Sequence, residues 1–232
     1  MDADELAVRA VRGYAETLAC LGRSGVRGAT ELRRGPLVGA RVPWAADNHW
    51  IDAAVVLAGA APPRADDGLP HCLWSVVDAV PGWSRLPEAT MPCMGLELAA
   101  GPGGSGAVER PSLAVVGTLN DEAYGQEDRL APLIAALDPG AVEAHGLRVD
   151  GTWACVAVTL AHRDDVSIQY VATDARFRRR GLATALLRGV LADALAAGHP
   201  TATLQASPDG LPVYERLGFR TVATLHGFTP SR

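Results

Sequence analysis

An α+β fold in two unequal parts is predicted by three observations: a glycine- and proline-rich break near mid-chain, one long helix followed by short strand-like runs before it, and a strand, an arginine-rich loop and an amphipathic helix in direct succession after it. The 232 residues suit one large domain or two small ones, and 48% apolar against 20% charged side chains is enough to bury a sizeable core. The division expected is a smaller N-terminal α/β half over residues 1–98, a linker over 99–111 and a second domain over 112–232.

The first half opens on Ala3 to Leu21, where Leu6, Val8, Val11, Tyr14, Leu18 and Leu21 recur close to a 3.6-residue period, which predicts a helix stopped at Gly22. Segments around Leu37 to Val42, Ile51 to Leu57, His71 to Val80 and Met91 to Leu98 are rich in valine, leucine and tryptophan between Pro, Gly and Asp, and are expected to form a small sheet. Ala99 to Ala107, closed by Pro111, has no side chain large enough to anchor it and reads as the linker. Gly101 to Gly106 satisfies the dinucleotide pattern G-x-G-x-x-G, but no amphipathic helix follows it and no acidic residue ends a second strand about 20 positions on.

After the linker, Ser112 to Gly117 reads as a strand, Asp121 to Leu137 as helical material cut by Pro132, and Gly146 to Val149 as a strand. Trp153 to Ala161 and Val166 to Thr173 form a predicted hairpin. Gly181 to Ala197 is the clearest helix, with Leu182, Leu186, Leu187, Val190, Leu191, Ala194 and Leu195 on one stripe. Thr201 to Ala206 is a strand, Ser207-Pro208 is read as the N-cap and first residue of a short helix around Leu211 to Leu217, Gly218 ends it, and Phe219 to Leu225 is the last strand.

The charge balance narrows the function classes. The 21 basic residues, every one an arginine, stand against 26 acidic ones, and a net charge of −5 disfavours a dedicated nucleic-acid binder. The absence of lysine also excludes a P-loop. No run approaches the roughly 18 to 20 apolar residues of a membrane span, and an acidic start, Met1 to Glu5, is unlike a signal peptide, so the cytoplasm is expected. Cys20, Cys72, Cys93 and Cys155 show no metal or disulfide spacing and are read as buried thiols, while the six histidines pair with nothing at ligand spacing. Trp74 and Trp83 are assigned to the core; Asp47 to Trp50 fits either a turn before a strand or the wall of a pocket.

Positive charge concentrates at one place. Arg176, Arg178, Arg179 and Arg180 lie directly before the long helix, whose first N–H groups lack helical partners and whose dipole favours an anion. Gly181 and Ala183 let an anion approach that backbone, which makes a polyphosphate site.

Arg178-Arg-Arg-Gly181-Leu-Ala183 resembles the (Q/R)-x-x-G-x-(G/A) signature of the GNAT superfamily of acyl-CoA-dependent N-acyltransferases, and Leu204 to Phe219, ending in Y-x-x-L-G-F, is similar to its second signature. The resemblance covers about Ser112 to Thr229 and implies a mixed sheet whose central strands splay at a bulge to admit the pantetheine arm of acetyl-CoA. It implies contacts to the arm from Val171, Ala172 and Thr173, contacts to the phosphates from Arg178, Arg179, Arg180, Gly181, Leu182, Ala183 and Thr184, and no metal. The resemblance also implies that Tyr214 lies near the sulfur, where its phenol, protonated at neutral pH, would serve as general acid for the departing thiolate. A backbone N–H near Val171 would polarise the thioester carbonyl.

Two positions depart from the family pattern. Ser207 stands where many members have asparagine, and the strand Val166 to Thr173 has no carboxylate: Gln169 cannot act as base. The first half looks like the degenerate half of two-part family members and has no R-x-x-G-x-A, so one acyl-CoA site per chain is expected. The implied activity is transfer of an acetyl group to a primary amine by direct attack through a tetrahedral intermediate, the alternative being a non-catalytic acyl-CoA sensor. The implied acceptor is a small-molecule or peptide amine, with no nucleic-acid or membrane partner; a homodimer is compatible with the sequence.

Overall fold

In the computed structural model, residues 2–57, 68–99, 108–125 and 128–231 are described. The helices are α1 (Ala3–Arg23), α2 (Leu113–Tyr124), α3 (Ala131–Ala135), α4 (Leu182–Ala196) and α5 (Leu211–Arg216). The strands are β1 (Thr30–Arg34), β2 (Leu37–Arg41), β3 (Ala53–Val56), β4 (Cys72–Ser75), β5 (Trp83–Glu97), β6 (Glu143–Val149), β7 (Thr152–His162), β8 (Asp165–Thr173), β9 (Thr201–Gln205) and β10 (Arg220–Pro230). The expected linker falls mostly on residues 100–107, outside the described residues, and so does the Gly101 to Gly106 pattern.

The first-half strands do not form a small sheet of their own. All ten strands make one mixed sheet in the order β1-β2-β3-β4-β10-β5-β9-β8-β7-β6. The last strand of each half crosses to the other side: β5 pairs with β9, β10 pairs with β4, and the two run antiparallel at the centre. The flanks repeat one direction pattern, with β1-β2-β3 and β6-β7-β8 antiparallel and β3-β4 and β8-β9 parallel.

Several local expectations change. Ser112 to Gly117 is the first turns of α2, not a strand: the Ser112 hydroxyl accepts from Val115 N, and burial of Val116, Gly117 and Leu119 against the sheet and α3 outweighs the β propensity of Val-Val. Gly22 does not end α1. It lies inside the helix, where close approach of β1 requires glycine since an added Cβ would stand 2.5 Å from the Thr30 carbonyl oxygen, and the chain leaves the helix at Ser24 and Gly25 instead. Ser207 and Pro208 precede α5 rather than start it; the Ser207 hydroxyl accepts from Gly210 N in a turn before the helix. The strand β1 has one apolar side chain, Leu32, too few for an alternating pattern, and is held by its hairpin with β2 and by the packing of Leu32 against the Leu37, Leu73 and Phe228 cluster.

Three apolar clusters follow, one of them Leu37, Val56, Leu73, Trp83 and Phe228 on the first-half strands and β10. Between α1, α2, α3 and one face of the sheet lie Tyr14, Leu18, Val116, Leu133, Trp74, Val156 and Val158; under α4 lie Ile168, Leu186, Leu187, Val190, Leu204 and Phe219. Trp74 and Trp83 are core residues as expected, and all four cysteines are buried free thiols. Asp47 to Trp50 forms the turn before β3, with Trp50 tilted on Trp74 at 4.8 Å. No helix among the described residues is long and apolar enough to cross a membrane.

Candidate active site

The site begins where two parallel strands part. β8 and β9 pair from Asp165 with Thr201 to Ile168 with Leu204, and no further. Beyond that point β8 pairs only with β7, and there it carries a bulge: Gln169 faces Val158 and Ala172 faces Val156, so Tyr170 and Val171 together oppose Ala157. Tyr170 has φ 53°, a left-handed conformation that a bulky residue rarely takes.

An extra residue transposes the faces of a strand. Before the bulge, Val166 and Ile168 pack under α4; after it, Tyr170 and Ala172 belong to the layer beneath α1 and α2, while Val171 packs on the α4 side. The splay and the bulge therefore expose a stretch of β8 edge beside the start of α4.

A cleft of about 790 Å³ occupies this place. Val171, Ala172, Thr173, Arg178, Arg179, Gly181, Leu182, Ala183, Thr184, Ser207 and Tyr214 all line it, so residues far apart in sequence meet on one wall. Arg180 does not: it turns away and its guanidinium lies over the Phe177 ring, 5.4 Å from the centroid. Arg176 is tied to Asp174 at 2.6 Å.

The loop before α4 is shaped by two left-handed residues, Arg179 at φ 61° and Gly181 at φ 75°. α1 (21 residues) and α2 (12 residues) have side-chain caps from Asp2 and Ser112, whereas α4 (15 residues) begins on Gly181 with none. Its first-turn N–H groups, on Leu182, Ala183 and Thr184, are left for a ligand, and these residues face the cleft. Among the described residues no carboxylate pairs with Arg179 or with Arg216, which also lines the cleft. Arg178 donates from Nε to the Thr173 carbonyl and from Nη2 to the Ala123 carbonyl, each at 3.2 Å, and so fastens the end of β8 to α2. An uncapped helix start beside unpaired guanidinium groups fits a polyphosphate.

Tyr214 is 7% exposed, and its ring meets Phe219 edge-on at 6.2 Å. Burial above all, with Tyr124 and Cys155 near, pushes its phenol well above the usual tyrosine range. The Cys155 thiol, pushed up to about 11 by burial, accepts from the Thr173 hydroxyl at 3.2 Å. Both groups are neutral at physiological pH.

Gln169, the residue in place of a strand carboxylate, is a structural tie. Its Nε2 donates to Ser167 Oγ at 2.8 Å and to Gln205 Oε1 at 2.7 Å, and Gln205 Nε2 donates to the Ala10 carbonyl of α1. The carboxylate on the cleft wall is Asp209, which is exposed.

Sequence reasoning missed the contribution of α2. Ala123 and Tyr124 line the cleft, the Tyr124 hydroxyl donates to the Val171 carbonyl at 3.0 Å, and Asn120 Nδ2 donates to the Tyr170 carbonyl at 2.9 Å. Pro111-Ser112 before an apolar run, with two polar side chains four residues apart further on, was the available signal for a helix with a functional face.

Residues 135–226 match the GNAT acetyltransferase domain family. Among solved structures, a GNAT-family protein from Novosphingobium aromaticivorans is 22% identical, covering 87% of this chain and 92% of that one with a TM-score of 0.58. A GCN5-related N-acetyltransferase from Kribbella flavida is 19% identical, covering 94% of this chain and 96% of that one with a TM-score of 0.57. No curated protein matches the chain. The chain thus carries a GNAT acetyltransferase domain within a fold shared with those structures.

Proposed function

Starting from a GNAT acetyltransferase domain at residues 135–226, we propose that the protein moves an acetyl group from acetyl-CoA to a primary amine of a small molecule or peptide. The observation that carries this reading is the cleft in which the exposed edge of β8, the uncapped start of α4 and the Tyr214 phenol meet. Acetyl-CoA supplies an activated carbonyl on a thiol leaving group. Arg179, Arg216 and the first-turn N–H groups of α4 neutralise its phosphates, and Val171 and Thr173 offer backbone groups to the amides of the pantetheine arm. The Val171 N–H donates to the thioester carbonyl as negative charge grows on its oxygen. Tyr214, protonated at neutral pH, gives its proton to the departing sulfur, and the phenolate regains a proton from water to complete the cycle. The amine loses its proton to water, since Gln169 cannot accept it and Asp209 stands in solvent.

A second reading, a sensor that binds acyl-CoA without turnover, is favoured by the same Gln169: the amide is locked between Ser167 and Gln205. Release of coenzyme A thiol from acetyl-CoA over a panel of primary amines separates the two. Amine-dependent release supports transfer; tight binding with no release supports the sensor.

A further inference from the structure

Resting on that reading, we propose that Asn120 is a positioning residue: by holding the Tyr170 carbonyl it sets the direction of the Val171 N–H. The peptide unit between Tyr170 and Val171 is planar and trans, so its C=O and N–H point opposite ways. Asn120 Nδ2 takes the Tyr170 carbonyl at 2.9 Å, which turns the Val171 N–H away from α2. The left-handed Tyr170, φ 53°, would otherwise be free to relax toward the ordinary strand conformation, and that relaxation rotates this same peptide.

The chemistry of Asn120 supports a role for its donors. Both amide hydrogens are committed, one to the Val116 carbonyl at 3.0 Å in its own helix and one to Tyr170; the reversed amide would set oxygen against two carbonyls. Its Oδ1 is buried with no partner, and the whole residue is 1% exposed. A leucine of similar size would avoid that unmatched acceptor, so packing alone does not account for an amide here. One turn on, Tyr124 holds the next carbonyl, Val171 O, at 3.0 Å, so α2 engages consecutive carbonyls of the bulge where a regular strand would present them to opposite sides.

The test compares wild type with Asn120→Leu, which keeps volume and removes both donors, and Asn120→Asp, which keeps shape and leaves at most one donor to share between the two carbonyls. The measurements are kcat, affinity for coenzyme A, which lacks the acyl carbonyl, and the carbonyl stretch of bound acetyl-CoA labelled with ¹³C at that carbon. The expected result is a fall in kcat of about 10- to 100-fold, coenzyme A affinity within about twofold of wild type, and a carbonyl band moved back toward its position in water. Unchanged kcat, or an unmoved band, in a variant that folds overturns the role. So does a parallel loss of coenzyme A affinity, which marks a general collapse of the cleft. If wild type itself binds no acetyl-CoA, the acetyl-transfer reading fails first and takes this role with it.

Discussion

Gln169 Nε2 donates to Gln205 Oε1 at 2.7 Å, one residue past the last pair of β8 and β9, so the vertex of the splay is closed by two side chains where the backbone ladder stops. Gln205 passes the tie to α1 through the Ala10 carbonyl. Replacing Gln205 with leucine removes these two bonds and the weaker one from its Nε2 to Cys93 Sγ, and leaves buried groups unmatched. The expected loss is about 1–3 kcal/mol of unfolding free energy, read from the urea midpoint at constant slope. An unchanged midpoint would show that the vertex is held by the backbone alone.

Gly181 answers for the phosphate site. At φ 75° any side chain costs about 1 kcal/mol, but an added Cβ meets no atom within 4 Å, so Gly181→Ala and Gly181→Glu should both fold. The glutamate alone puts negative charge at the start of α4, and calorimetry should show acetyl-CoA binding abolished in it and largely kept in the alanine variant. Equal affinities in the two would remove the basis for placing the pyrophosphate there.

Tyr214→Phe keeps the ring and its contact with Phe219 while deleting the proton donor. General acid catalysis is worth about 10²- to 10⁴-fold, so kcat should fall by that order with acetyl-CoA affinity nearly unchanged. Full turnover with a lowered melting temperature would make Tyr214 a packing residue and leave the thiolate to take its proton from water.

Binding stoichiometry tests the relation of the two flanks. β3 and β4 are parallel like β8 and β9, but β3 pairs with β2 with no register shift, and no R-x-x-G-x-A occurs before Leu98. One acetyl-CoA per chain is expected by titration; two would mean that the first flank keeps a site of its own.

His145 gives a pH signature apart from the cleft. Burial above all, helped by the adjacent Arg110 charge, lowers its imidazole from 6.5 to about 4. The folded chain keeps it neutral while the unfolded chain protonates it below 6.5, so stability should fall as pH drops from 6.5 toward 4 and level off below, by up to about 3 kcal/mol. His145→Gln should flatten that part of the stability curve. A slope identical to wild type would assign it to other groups.

Features that depend on neighbours in sequence were legible without the structure. The α4 stripe, the arginine loop running into Gly181, the β7-β8 hairpin and the glycine ending α5 each arise from a few consecutive residues, and most of the cleft-lining residues follow from them. Arg180 was the exception, because stacking on Phe177 is a rotamer choice that spacing does not reveal. Short β1 with its single leucine, the α2 helix in a valine-rich run, and the course of β5 and β10 were decided by tertiary structure. Each depends on burial against strands distant in the chain, and that burial outweighs local propensities worth only a fraction of a kcal/mol per residue. The same holds for the face α2 turns to β8: Asn120 and Tyr170 are 50 positions apart, and only the packed sheet brings an amide to a bulge carbonyl.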